Sequence, residues 1–371
     1  MDQADPRCRP LFARFPALIG KLPWMPLADL PSPVQKLEKA GAALGVSDLW
    51  MKRDDINSKL YGGNKPRKFE FLFADARAKG ATAVMTLGSA GSNHGVATTL
   101  FCRHLGFDPW LALVPQPVLT YARRNILVNH ALGAKFMFSG NDVFNVANIL
   151  RFYAGQRLRG AKAPYFMFFG GSAPRGNVGF VDAALELAEQ VSRGETPLPR
   201  YIFVTTGSCG THAGLLVGLR LLGLPTEVIG VRIVPKAVTN RAAVALHANL
   251  IVRLLRSYDP SFPKMHFRAG EIHLLDNFYG GQYARPTREG KEAIRFLKET
   301  EGLPLDPTYT GKSFAGMIDF IRRLPDKNAP ILYWQTLNAV DLSPHIPRDV
   351  PADLPAPLKR YFTEPLYDPE L

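Results

Sequence analysis

The chain has 371 residues, of which 46% are hydrophobic and 21% charged, and carries a formal net charge of +13. That length accommodates two domains and a substantial core, and the composition excludes an intrinsically disordered chain. The basic residues are scattered, with no run of five and no nucleic-acid reader motif. The charge therefore reads as solubility and anion steering, with no nucleic-acid partner.

In chain order, the proline-rich stretch Asp5 to Pro33 predicts an irregular arm wrapping the body or a neighbouring subunit, or else simple disorder. The strand-like Leu49 to Asp55 follows, then the run Tyr61-Gly62-Gly63-Asn64-Lys65-Pro66-Arg67-Lys68-Phe69. Two glycines permit a tight turn, and proline suits a first helical turn because its missing N–H had no intrahelical partner. Phe69, Leu72, Phe73 and Ala76 then recur at helical spacing. Lys65 is thus presented from a rigid helix start. Desolvation beside Arg67 and Lys68 would lower its pKa enough to attack a carbonyl cofactor, whereas the plainer reading is a solvated basic helix entry.

The strand-like Ala83 to Leu87 leads into Gly88-Ser89-Ala90-Gly91-Ser92-Asn93-His94-Gly95 and a further helix. This is either a polar binding loop or a plain N-cap by Ser92 or Asn93. Strands at Trp110 to Val114, Lys135 to Phe138, Tyr165 to Phe169, Glu227 to Ile233 and Ile331 to Trp334 alternate with helical patterns at Asp142 to Tyr153 and Asn177 to Val191. Such alternation predicts an α/β fold with mainly parallel sheets. The apolar run Tyr201 to Val204 opens into Thr206-Gly207-Ser208-Cys209-Gly210-Thr211-His212-Ala213-Gly214. Amides of Gly207, Ser208, Cys209, Gly210 and Thr211 at a helix start make a phosphate site, or an ordinary strand-to-helix turn. Gly311-Lys312-Ser313 fails as a nucleoside-triphosphate loop, since Asp306 stands where the first glycine is required. A second proline-rich arm runs from Leu342 to Pro369.

Taken together and in order, these segments resemble the pyridoxal-phosphate enzymes of the 1-aminocyclopropane-1-carboxylate deaminase and D-cysteine desulfhydrase group, of the tryptophan synthase β-like fold type II. The resemblance runs from about Leu27 to Thr336 and includes Gly170-Gly171-Ser172, Leu185-Glu186-Leu187-Ala188 and Asp306-Pro307-Thr308-Tyr309-Thr310-Gly311-Lys312. It implies a small inserted domain over 75–175 and a large cofactor-binding domain from 1–74 and 176–371, with the cofactor in the cleft between them. It also implies that Lys65 is the Schiff-base lysine and Lys68 a nearby cation. Asn93 would bond the cofactor's phenolic oxygen, with Ser92 and His94 flanking the substrate carboxylate. The Gly207 to Thr211 turn would hold the phosphate, Thr336 the ring nitrogen, and Tyr283 and Tyr309 would be the active-site tyrosines.

Departures from the pattern bear on the substrate. Thr310 stands where the deaminases carry a glutamate facing the pyridine nitrogen, which favours β-elimination from D-cysteine over opening a cyclopropane ring. Gln335-Thr336-Leu337-Asn338 replaces a His-Thr-Gly-Gly run, predicting a reshaped pocket floor, and Ala173-Pro174-Arg175 also departs. The expected activity is a pyridoxal-phosphate-dependent lyase on a small amino acid. The alternatives are a deaminase, a β-replacement enzyme or a non-catalytic cofactor-binding homologue.

Cys8, Cys102 and Cys209 are odd in number and far apart, implying no disulfide framework, and Cys209 would act through its amide. No metal-ligand spacing and no apolar run of 18 residues occurs, so no metal and no membrane partner is expected. The expectation is a cytoplasmic homodimer. Arg123-Arg124, Arg157-Leu158-Arg159 and Arg322-Arg323 read as solvated helix faces or oligomer contacts.

Overall fold

The computed structural model describes residues 5–367. Residues 1–4 and 368–371, including Pro369 of the second arm, lie outside the described residues. Ten strands occur in them: β1 (Val34–Lys36), β2 (Leu49–Lys52), β3 (Ala83–Ser89), β4 (Asp108–Val114), β5 (Lys135–Phe138), β6 (Tyr165–Met167), β7 (Tyr201–Thr206), β8 (Glu227–Arg232), β9 (His273–Leu275) and β10 (Ile331–Trp334). The chain divides into two units, one running to Ala74 and resuming over Gly170–Val340, the other comprising Asp75–Phe169 and the chain from Asp341 onwards.

The first unit holds a six-stranded sheet in the order β1-β2-β10-β7-β8-β9. Only the edge pair β1 and β2 is antiparallel, and Ile331 lies opposite both Leu49 and Tyr201. All four residues of β10 are buried, as a parallel strand covered on both faces requires. On one side, Phe314, Met317 and Ile321 of the helix Thr310–Arg323 pack with Ala293 and Leu297 of Arg288–Glu301. A separate core joins the helices Pro174–Ser192 and Arg241–Tyr258 to Leu11, Phe12, Phe15 and Leu18. The N-terminal arm is therefore part of the core and not a loose strap. Arg9 is buried with it, ion-paired to Asp182 and, at 3.5 Å, to Glu70.

The second unit is a four-stranded parallel sheet, β5-β4-β3-β6. The segment from Asp341 onwards belongs here, whereas the sequence reading grouped it with the large domain. Its helix Ala356–Thr363 is held by Tyr361, whose hydroxyl accepts from the Gln116 amide at 2.9 Å and donates to the Gln116 carbonyl at 3.1 Å. Arg123, expected on a solvated face or at an oligomer contact, instead donates to the carbonyls of Tyr361 and Glu364, each at 2.6 Å.

A buried ion cluster fixes the helix Asn64–Ala78 within the first unit. Arg67 donates to Asp54 at 2.8 Å and to Glu186 at 2.9 Å. Lys52, at the end of β2, reaches Glu186 at 2.6 Å. Asp54 also accepts from the Trp334 indole and the Ser32 hydroxyl, both at 2.7 Å. Two cations and two anions thus balance without solvent. Gly179 lets the helix Pro174–Ser192 approach closely, because a Cβ there would strike the Arg67 carbonyl. Arg67 and Lys52 together hold the Glu186 carboxyl far below the ordinary glutamate range, against the opposing effect of burial.

Removing one member leaves its partners charged and unpaired. Glu186→Gln is expected to lower unfolding free energy at pH 7 by about 3–5 kcal/mol in denaturant titration. Because the folded-state pKa of Glu186 is depressed, its contribution is present above the unfolded value near 4.5 and is lost as pH falls through the folded value. The difference between wild type and variant should therefore shrink in strong acid; a pH-independent difference would contradict this assignment.

Candidate active site

Gly63, at φ +94°, turns the chain into the helix Asn64–Ala78, and a Cβ there would collide with the carbonyls of Thr336 and Leu337. Asn338, one of the residues that departs from the resembling pattern, has a definite task. Its side-chain oxygen accepts from the Gly62 amide at 2.7 Å and from Val340 at 3.1 Å, clamping the turn that precedes Lys65. Thr336 is half-buried, and its carbonyl accepts from the Asn64 amide at 3.4 Å.

Lys65 is half-buried, and its ammonium donates to the Asn64 side chain at 2.7 Å. Asn64 in turn donates to the Thr211 hydroxyl at 3.2 Å, so one amide links the lysine to the glycine loop. Desolvation brings the Lys65 pKa down to about 8, with the charge of Asp306 acting in the opposite direction. Of the two expected causes, desolvation is the one that acts, while the Arg67 guanidinium is turned into the ion cluster.

The glycine loop joins β7 to the helix Gly210–Leu221. Cys209 caps this helix in the left-handed region at φ 63°, and no side chain caps its first turn. The Gly210 amide already donates to the Ser208 carbonyl at 2.8 Å, and the first-turn N–H groups that follow it face no side-chain cap, as an anion site requires. Lys68 is fully buried and donates to the Gly170 carbonyl at 3.1 Å and the Ser172 hydroxyl at 2.8 Å, while Ser172 donates to Ser208 at 2.7 Å. Burial and then the charge of Lys65 push the Lys68 pKa well below the ordinary value. A bound dianion would restore that charge. Gly210 tolerates no side chain, because a Cβ would lodge against Asn177 and Ser172. The Asn177 amide in turn meets His247 at 3.2 Å. The Cys209 thiol is buried and donates to Thr239 at 3.6 Å, leaving its backbone to the loop.

Tyr283 and Tyr309 bond through their hydroxyls, with ring centroids 6.3 Å apart. Tyr309 immediately precedes the helix Thr310–Arg323, which is organised by the half-buried Asp306. That carboxylate accepts from the amides of Thr308 (2.9 Å), Tyr309 (2.7 Å) and Thr310 (3.2 Å) and from the Thr310 hydroxyl (2.7 Å). The Thr310 hydroxyl is therefore committed to Asp306 and is not a free partner for a ring nitrogen.

In the second unit, Ser92 caps the helix Asn93–Leu105 by accepting from the Gly95 amide at 3.3 Å. Asn93 accepts from Asn125 at 2.9 Å, and His94 is buried. The structure thus gathers Lys65, Lys68, Ser208, Thr211 and the Thr336 backbone in one connected set, with the Tyr283–Tyr309 pair in the same unit. Sequence reasoning missed Asn64 and Ser172 as site members, although both were inside segments it singled out. His247 carried no local signal. Among the described residues, no group of three or more His, Cys, Asp or Glu side chains is arranged for a metal, and no helix is long and apolar enough to cross a membrane.

The anion-ready helix start, its buried lysine and a nearby amine of lowered pKa fit a phosphorylated aldehyde. A family model described as pyridoxal-phosphate dependent enzyme matches residues 26–333, and the chain belongs to that family. It is 34% identical over 347 residues to the D-cysteine desulfhydrase of Yersinia enterocolitica serotype O:8 / biotype 1B (strain NCTC 13174 / 8081), covering 89% of this chain and 98% of that protein. It is 34% identical over 345 residues to the D-cysteine desulfhydrase of Salmonella schwarzengrund (strain CVM19633), covering 88% and 98%. A solved structure of an ACC deaminase homologue superimposes with a TM-score of 0.75 at 30% identity, covering 90% of this chain and 95% of that one. A solved threonine deaminase from T.th., at 21% identity and a TM-score of 0.60, covers 90% of this chain and 99% of its own and shares the fold. The protein is a pyridoxal-phosphate-dependent enzyme of fold type II.

Two lysines one helical turn apart are expected to separate by function. Lys65→Ala should lose the visible absorbance band of the lysine-bound cofactor, and Lys68→Ala should keep the band but raise the cofactor dissociation constant about tenfold or more. In protein stripped of cofactor, the neutral Lys65 amine gains population as pH rises through about 8, so capture of added pyridoxal phosphate should accelerate over that interval. Stopped-flow absorbance checks this. A midpoint near the ordinary lysine value of 10.5 would contradict the desolvated site.

Proposed function

We propose that the enzyme is a D-cysteine desulfhydrase-like lyase, converting D-cysteine and water to pyruvate, sulfide and ammonia. The observation that carries this reading is the position of Thr310. Its hydroxyl, where a deaminase-like site calls for a carboxylate, is bound to Asp306. A site without that carboxylate holds a ring nitrogen proton less firmly, which suits departure of a good thiolate more than opening of a carbon ring. The names of the relatives support the same choice.

The Gly207–Thr211 loop and Lys68 would hold the cofactor phosphate, Lys65 its carbonyl carbon, Asn93 its phenolic oxygen and Thr336 its ring nitrogen. When bound, the cofactor supplies an electron-withdrawing ring that acidifies the substrate's α-carbon. Lys65, with a pKa near 8, takes the α-proton as general base. Ser92 and His94 orient the substrate carboxylate. The hydroxyl pair of Tyr283 and Tyr309 carries a proton toward the departing sulfur, which leaves with the Cβ–S bonding electrons. Water then replaces nitrogen at the α-carbon, releasing ammonia. The same reading takes the enzyme as a cytoplasmic homodimer. The three free cysteines suit a reducing compartment, and the exposed Val143, Phe144 and Leu150 of the helix Asp142–Leu158 suit a subunit contact.

The likeness to the ACC deaminase homologue favours a second reading, ring opening of 1-aminocyclopropane-1-carboxylate. Side-by-side assays of D-cysteine, β-chloro-D-alanine, 1-aminocyclopropane-1-carboxylate, L-cysteine and D- and L-serine separate the two. Release of sulfide and pyruvate from D-cysteine, with little keto acid from the cyclopropane, is expected. Faster turnover of the cyclopropane would overturn the argument from Thr310, and inactivity on every compound would favour a β-replacement or non-catalytic role.

A further inference from the structure

We propose that Lys312 is the positioning residue for Tyr283, clamping the loop that carries it onto the helix that carries Tyr309. Lys312 is the lysine of the Gly-Lys-Ser run that fails as a nucleotide loop. It is fully buried in the second position after Thr310, at the start of the helix Thr310–Arg323. Its ammonium donates to the Tyr279 carbonyl at 2.7 Å and lies 5.7 Å from the centre of the Tyr279 ring. Arg232, at the end of β8, lies 5.6 Å from the same ring centre and ties the stem of the loop by donating to the Asp276 side chain and carbonyl, both at 2.8 Å. Burial raises the Tyr279 phenol pKa, opposed by the charge of Arg232 and then by a hydrogen bond to the Tyr283 backbone.

The chain of contacts thus runs from Lys312 through Tyr279 to Tyr283, whose hydroxyl meets that of Tyr309. Gly280 and Gly281 take positive φ without strain, whereas Ala284, the residue after Tyr283, has φ 62°, a conformation that costs an alanine energy unless its surroundings enforce it. A desolvated lysine is also expensive to keep. A tether that places one member of the tyrosine pair accounts for its presence. Tyr309 is seated by Asp306 at the head of the same helix, so both phenols are referenced to a single rigid element.

The inference rests on the reading that the tyrosine pair serves the elimination, and the experiment separates the two. Amide hydrogen exchange would be followed in the cofactor-loaded wild type, Lys312→Met and Lys312→Gln, together with D-cysteine kinetics and the cofactor absorbance band. Exchange over residues 278–284 should speed up about tenfold or more in both variants, the scale of one lost charged hydrogen bond, while the helix Thr310–Arg323 and the band stay unchanged. The kcat for D-cysteine should fall about tenfold with little change in KM. Tyr283→Phe should lower kcat without altering exchange. Unchanged loop exchange in a folded Lys312 variant would overturn the proposal, as would loss of protection spread evenly through the helix. Wild-type inactivity on D-cysteine would defeat the functional reading alone, since the exchange result still decides the tether.

Discussion

The buried set of Arg67, Asp54, Glu186 and Lys52 is the constraint on which the first unit depends. Four charges withdrawn from water gain little net stability over an apolar core of the same shape, since desolvation offsets most of their attraction. Their contribution is geometric. A guanidinium offers a rigid fork of donors, and Arg67 spends it on two carboxylates that come from different parts of the chain. The helix Asn64–Ala78 can then settle in only one rotation and one depth. Lys65, two residues earlier, inherits that precision.

The chemistry follows from the helical repeat. Lys65 and Lys68 are three residues apart and share a face, while Arg67 between them is turned away into the cluster. One face thus presents an amine with a pKa near 8 and a second, more deeply buried amine, its pKa pushed well below the ordinary value, beside the start of the helix Gly210–Leu221. The first suits attack on a carbonyl, the second neutralisation of a phosphate. Asn64 joins Lys65 to the glycine loop by accepting from its ammonium and donating to Thr211, so a single side chain links the reactive amine to the phosphate loop.

Local patterns carried much of this into the sequence. The glycine turns, the apolar stripe after Lys65 and the strand-to-helix loop at Gly207 each have a signature spanning fewer than about fifteen residues, within the reach of periodicity arguments. What stayed hidden depends on pairs far apart in the chain. Glu186 meets Arg67 across 119 residues, and Ser172 meets Lys68 across 104. Arg123 looked like a surface charge because its carbonyl partners lie beyond residue 360. Asn338 read as a change in the shape of the pocket floor, and its bond to Gly62, 276 residues away in the chain, was out of reach of any local pattern. Thr310 is visible in the sequence, but its commitment to Asp306 required the fold of the turn.

The central claim is that this cluster aims Lys65, and not Lys68, at the cofactor. Borohydride reduction of the cofactor-loaded wild-type protein, followed by proteolysis and mass spectrometry, reads the attachment point directly. The account predicts the reduced pyridoxyl group on Lys65 alone, with Lys68 unmodified. A pyridoxyl group on Lys68, or on any lysine outside the Gly62–Phe69 turn, would contradict it.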